Sequence, residues 1–414
     1  MAELDCGWPC GYGNMKSIES AVLSSGGMTV QVSGRFLLPC PVQSSGASVA
    51  ELCEAALREP LGYPELSRCV FPGDTVAVVP DPETPALAEL LTVVLQQLQQ
   101  AAEGTASILL VLSPDPAGRQ WAWLLEKLPE VLMQRVQVHH HDPADKNQSG
   151  YVASSEGGER LYLNRQVSEA DTIVTVGVVC FDGELGLRGT SSALFPGLSD
   201  NETQQRTGFV PGRLADVSPQ LRRGLIDELG WLTGTQFAVQ AVPGAGGVLQ
   251  VLAGSPEQVL ERGRLLCEEV WELEPEAPAE VVLSAVDGGP CGWLALGRAL
   301  ENLSEVVEQG GRVILVSDVE LPEGPAMQML RRTQDPENLV RPLQREPLED
   351  SRQAVAVIEA CRRARVYLLS RLPAEVVEEL GMIPLGSDAE LQKLLGTVEN
   401  VWLLSGAQYL RCVV

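Results

Sequence analysis

The strongest constraint on this chain is an alternation that runs almost its whole length. Short apolar, β-branched runs are followed by a glycine- or proline-bearing loop and then by a stretch with helical spacing. Thr75–Val79, Ile108–Leu112, Arg135–His139, Ile173–Val179, Val281–Val286, Val313–Ser317, Val366–Leu369 and Val401–Leu404 have the length and composition of buried strands. Repeated strand–helix units dictate parallel sheets covered by helices on both faces. At 414 residues the chain is too long for one ordinary core. The acidic, proline-spaced run Glu274–Glu280 is the clearest break. The expected fold is therefore two α/β domains, 1–273 and 281–414, with mainly parallel sheets. A long helix opened by Ser255-Pro256-Glu257-Gln258 joins them, and a cleft lies between.

Finer features follow from turn and cap chemistry. The alternating segment Met28–Pro39 reads as an edge strand or hairpin. Thr84-Pro85 reads as N-cap and first-turn proline of a helix running to Gln100, and Ser218-Pro219 opens another. Gln236–Val242 and Val248–Ala253 read as a hairpin across a glycine turn whose spacing does not fit a dinucleotide fingerprint. Trp121 and Trp123 stand two apart and cannot share a helix face, so one is assigned to the core and the other to an interface or cleft wall.

The totals exclude several functions. A net charge of −25 argues against nucleic-acid backbones and anionic membranes as partners. No apolar run reaches membrane-span length and the N-terminus lacks a basic, then apolar, leader, which predicts a soluble, cytoplasmic protein. Ten scattered cysteines without a C-x-x-C form no disulfide scaffold. The chain has only four lysines (Lys16, Lys127, Lys146, Lys393) and three histidines, which are consecutive (His139, His140, His141). His139 and His141 alternate to one side of a strand but lack a third metal ligand, so no metal site is expected there.

In open α/β sheets ligands bind beyond the carboxyl ends of strands. Asp81, Asp115 and Asp182 each stand just past such an end, where clustered carboxylates suit acid–base work or helix and loop capping. Arg188 with Ser191 and Ser192, and Arg298 across the cleft, suit a phosphate or carboxylate. Gly288-Gly289-Pro290 makes a tight strand-to-helix turn suited to a pyrophosphate or simply to packing.

The order of the pieces resembles the lactate racemase family, the nickel-pincer-nucleotide enzymes. The resemblance rests on ALREPLGYPELSRCVFPGDTVAVVPDPETP, HDPADKNQ, LNRQVSEADTIVTVG, ALFPGLSDNET, DGGPCGWLALGRAL and VEQGGRVILVSD, in that order from about residue 28 to 330. It implies two α/β domains with a cofactor in the cleft, a pyridinium nucleotide tethered to a lysine, nickel held by the pincer and a histidine, and two histidines moving the α-proton of a 2-hydroxy acid. Position by position, the tether lysine falls on Ser192. The two shuttle histidines fall on Asp182 and about Asp115, and the nickel histidine near Gly208. The aspartate of the family's D-x-T-R-P turn is kept as Asp81 while its arginine falls on Thr84; the lysine of the second-half helix falls on Arg298 and a glutamine near Ala295.

A lysine-tethered pincer is thus not expected, whereas an untethered nucleotide or a metal is compatible with these residues. Three functions remain: a racemase or epimerase of a 2-hydroxy acid with a rebuilt active site, a catalytically inactive, small-anion-binding or regulatory pseudoenzyme keeping the cleft, or a subunit that contacts a partner chain with the cleft vestigial. The expected partner is a small anion such as a 2-hydroxy acid, and a homo-oligomer is compatible with the sequence.

Overall fold

A computed structural model describes residues 16–38, 46–114, 121–154, 157–158, 160–209, 218–244, 247–275, 277–286, 292–398 and 401–413. The chain is an α/β protein built on two sheets. The first has six strands in the order 247–254, 237–244, 172–178, 75–80, 107–112, 136–140. All neighbours are parallel except the hairpin Phe237–Gly244 with Gly247–Gly254. The central strands Thr75–Pro80 and Thr172–Val178 are buried almost throughout, which is why they read as unbroken apolar runs. Helices Val49–Arg58 and Leu87–Gln100 cover one face. Pro219–Leu232 covers part of the other. Pro256–Trp271 also packs on this sheet, through Val259, Leu266, Cys267, Val270 and Trp271, before the chain leaves for the second half.

The second sheet has seven strands in the order 16–25, 28–38, 401–403, 279–285, 307–316, 365–369, 383–385. Its parallel core is covered by helices Gly292–Val306 and Ser351–Arg363 on one face and Asp388–Leu395 on the other. This corrects the domain boundary expected from sequence. The hairpin Lys16–Ser25/Met28–Leu38 belongs to the second half, where Phe36 and Leu37 pair with Val401 and Trp402. Its alternation does bury one face, with Leu23, Val30, Val32 and Phe36 in the core formed with Val281, Leu283 and Ile314. Periodicity gave the buried face but carried no information on which sheet receives it. The first unit is consequently inserted between two parts of the second.

Two local expectations also change. The helix after the first strand begins at Leu87, with Ala86 as its left-handed cap (φ 53°), so Thr84-Pro85 is not its cap. Thr84 instead donates its N–H to Asp81 O in a turn that aims side chains into the site. Trp121 and Trp123 stack at 6.0 Å with 19° between their planes. They can meet because Trp121 precedes the short helix Ala122–Leu125, leaving helical spacing irrelevant; its indole N–H donates to Ser113 O at 2.7 Å. No helix among the described residues is long and apolar enough to cross a membrane.

Candidate functional site

The first sheet reverses its direction of growth between Thr75–Pro80 and Thr172–Val178. From the former the chain builds outward to 107–112 and 136–140, then returns to the other side with 172–178 and 237–244. Such a switch point opens a crevice beyond the carboxyl ends of the two strands. Asp81 follows the first of them immediately, its N–H continuing the ladder onto Val176 O at 2.8 Å. Beyond the second, Cys180–Asp182 and Gly186–Arg188 fold back as a two-stranded ribbon in which Cys180 faces Arg188. That ribbon brings Asp182 and Arg188 over Asp81.

Arg188 is the hub. Its Nη1 lies 3.0 Å from Asp81 Oδ2, its Nη2 2.8 Å from Glu83 Oε1 and 3.0 Å from Asp182 Oδ2, and its Nε 3.1 Å from Asp182 Oδ2. Arg298, on helix Gly292–Val306 of the second half, reaches across. Its Nη2 lies 3.0 Å from Asp182 Oδ2 and 3.3 Å from Glu83 Oε1, and its Nη1 pairs with Glu83 Oε2. The side chains of this cluster are between 0 and 12% exposed. A second layer continues outward: Arg352 of the second half pairs with Glu301 at 2.8 Å and with Glu184 at 3.5 Å, and Glu184 also holds the buried Arg222 at 2.8 Å.

Each carboxylate has its own electrostatic state. Burial pushes Asp182 up, but the guanidiniums of Arg298, Arg188 and Arg352 more than reverse this and hold it far below the usual carboxylate range. It also accepts at Oδ1 from Glu184 N (2.8 Å) and Leu185 N (3.0 Å), which fixes the ribbon's turn. Asp81 moves the other way: burial raises it beyond what Arg188 recovers, and neighbouring Glu83 raises it further. One aspartate of the pair is thus firmly ionised, while the other is the easier to protonate.

The residues singled out in the sequence separate into groups. Asp81, Asp182, Arg188 and Arg298 converge. Thr84 lies in the same loop, buried, with no partner found for its hydroxyl. Ser191 and Ser192 are buried in a short 3-10 turn and do work inside it: Ser192 Oγ accepts from Gly189 N at 2.9 Å, while Ser191 packs so closely on Gly230 that a Cβ there would lie 1.9 Å from its hydroxyl. His141 is buried away from this point. Asn164 Nδ2 donates to its Nδ1 (3.0 Å), so its Nε2 must carry the proton and donate to Ser199 O (3.2 Å). His139 lies within the edge strand Val136–His140, two residues earlier. Asp115, Gly288 and Gly289 lie outside the described residues. Residue-by-residue reading missed Glu83, Glu184, Glu301, Arg352 and Gln240. Glu83 and Glu184 stand two residues beyond Asp81 and Asp182, so strand-end position could have flagged them. Gln240, fully buried, accepts from Thr190 N at 3.1 Å.

Comparison with known proteins bears on this arrangement. Residues 34–208 match the lactate racemase N-terminal domain. Over that span the chain is similar to the lactate racemase family. The lactate racemase apoprotein of Thermoanaerobacterium thermosaccharolyticum superposes with a TM-score of 0.72 at 16% identity, covering 95% of this chain and all of that one. A Thermotoga maritima protein superposes with a TM-score of 0.62 at 15% identity, covering 90% of this chain and all of that one. No curated protein matches significantly in sequence. The lactate racemase fold thus extends over nearly the whole chain, second half included.

The residues present do not fit the lysine-tethered pincer of that family. Ser192 offers a buried hydroxyl already engaged by Gly189, where the resemblance places the tether lysine. At a shuttle-histidine position, Asp182 is an ionised carboxylate between arginines. His141 has both ring nitrogens committed.

Proposed function

We propose that this chain is a non-catalytic lactate-racemase-like protein whose former reaction centre serves as an ion-pair lock between its two halves. The observation carrying this is the saturation of Arg188, whose three guanidinium nitrogens are all engaged by Asp81, Glu83 and Asp182. A racemase or epimerase of a 2-hydroxy acid needs a base on each face of the α-carbon and a cation free to hold the carboxylate. Asp182, held far below the usual range, is too weak a base for an α-proton, and both arginines facing the switch point already hold carboxylates. An untethered nucleotide, a metal or a small anion would have to break these buried pairs to enter. This reading requires none of them for the protein to hold its shape.

The test is hydrogen exchange at the α-carbon of lactate and larger 2-hydroxy acids in D2O, followed by proton NMR, with and without added nickel-pincer nucleotide. Exchange no faster than the protein-free blank is expected. Protein-dependent exchange that disappears in Asp182→Asn would establish a working rebuilt site and end this reading.

A further inference from the structure

The three carboxylates on Arg188 are not equivalent. Asp81 and Asp182 sit on short stems and hold their own loops, accepting from Glu83 N at 3.0 Å and from Glu184 and Leu185 N. Every contact found for the Glu83 carboxylate among the described residues is to a guanidinium. Its two oxygens are shared between Arg188, from the first half, and Arg298, from the second. The longer glutamate stem lifts this carboxylate away from its backbone into the gap between the halves. Two planar guanidiniums gripping one carboxylate are a recognition geometry that does not depend on what the carboxylate is attached to. Around it stand polar atoms with no partner found: the Thr84 hydroxyl beside it in sequence and Arg298 Nε, both buried.

We infer that Arg188 and Arg298 form a monocarboxylate site that the chain fills with its own Glu83, an internal plug. The inference rests on the reading of the switch point as a lock and names what the lock is made of. Glu83 supplies the second carboxylate between two guanidiniums that would otherwise share only Asp182 Oδ2, and the two halves close on it as they would on a bound ligand.

The plug is tested by chemical rescue. Glu83→Ala should leave a carboxylate-sized vacancy between two arginines, so sodium acetate should raise its thermal unfolding midpoint saturably, by about 2 °C near ten times the dissociation constant, relative to sodium chloride at equal ionic strength. The wild-type protein, its site filled, should respond to the two salts alike, and so should Glu83→Ala/Arg298→Met. If Glu83→Ala does not fold in plain buffer, its refolding yield in acetate against chloride decides the same question. Equal behaviour of Glu83→Ala in both salts, or an acetate response in the wild type as large as in the variant, overturns the plug. Neither result touches the exchange assay on the wild type, so loss of the plug and loss of the non-catalytic reading are separately visible.

Discussion

Arg298 Nη2 lies 3.0 Å from Asp182 Oδ2, although one residue rides on a helix of the second half and the other on a ribbon of the first. Asp182 is fully buried and the Arg298 side chain only 12% exposed, so neither readily exchanges its partner for water. Removing one member of such a pair leaves the other charged and desolvated, and Arg298→Met is expected to cost about 3–5 kcal/mol in chemical denaturation. Combined with Glu83→Ala, the total should fall short of the sum of the single effects, because Arg298 and Glu83 share one contact.

Asp182→Asn and Asp81→Asn should separate in size. Ionisation of Asp182 is favoured by folding, so its neutral amide should be strongly destabilising at pH 7, whereas ionisation of Asp81 is disfavoured by folding and its amide should cost less. The two groups also differ in sign with pH. Asp182, with its folded pKa depressed, contributes stability above its unfolded value near 4 that fades as pH falls below it. Asp81, with its folded pKa raised, subtracts stability as pH rises through that raised value. Urea melts of both variants and wild type between pH 3 and pH 7 measure this; a flatter acid limb in Asp81→Asn than in Asp182→Asn would contradict it.

His141 gives a second pH dependence, away from the lock. Burial pushes its pKa below the ordinary value, and the Ser199 carbonyl only partly restores it. Because the folded form binds the proton less readily than the unfolded chain, His141 contributes stability above about pH 6.5 that is lost as pH falls below it. His141→Gln should remove this slope between pH 7 and pH 5.5, as read by thermal melts, while leaving the carboxylate-driven loss at lower pH.

Ser192→Lys restores a residue type without restoring a site. The position is buried and its hydroxyl closes a turn by accepting from Gly189 N, so a lysine there must bury an ammonium or open the turn. A drop of at least 2 kcal/mol in unfolding free energy is expected, on the scale of losing a buried hydrogen bond and burying a charge. Incubation with pincer nucleotide should leave the intact mass unchanged; a covalent adduct would show that the residue faces the crevice after all.

Much of the fold was legible because buried parallel strands leave continuous apolar runs. Thr75–Val79 was expected and Thr75–Pro80 is observed; the hairpin expected from Gln236 to Ala253 spans Phe237–Gly254. Capping was legible where it is local, as at Ser218, whose hydroxyl accepts from Leu221 N. At Thr84 it misled, because a long-range demand, placing Asp81 and Glu83 beside Arg188, outweighs the local preference. Asp81, Asp182 and Arg188 were signalled by standing past strand ends. Their pairing with one another was not, since charge complementarity between distant segments leaves no local trace. Glu301 and Arg352 look like ordinary helix surface charges; they pair within the second half, and Arg352 also reaches Glu184 of the first only once the two halves meet.

The insertion of the first sheet's unit within the second has a consequence for biosynthesis. The strand Met28–Leu38 leaves the ribosome long before its partners: Ser33 bonds Gln392, 359 positions later, and Phe36 pairs with Val401. At about 5–20 residues per second the hairpin waits on the order of 20–70 seconds for its neighbours, while the first sheet can already form. During that interval the apolar face of Leu23, Val30, Val32 and Phe36 has no sheet to lie on. Holding it out of aggregation is a task for the nascent chain's surroundings, and the strand Val401–Leu403 is the one that relieves it.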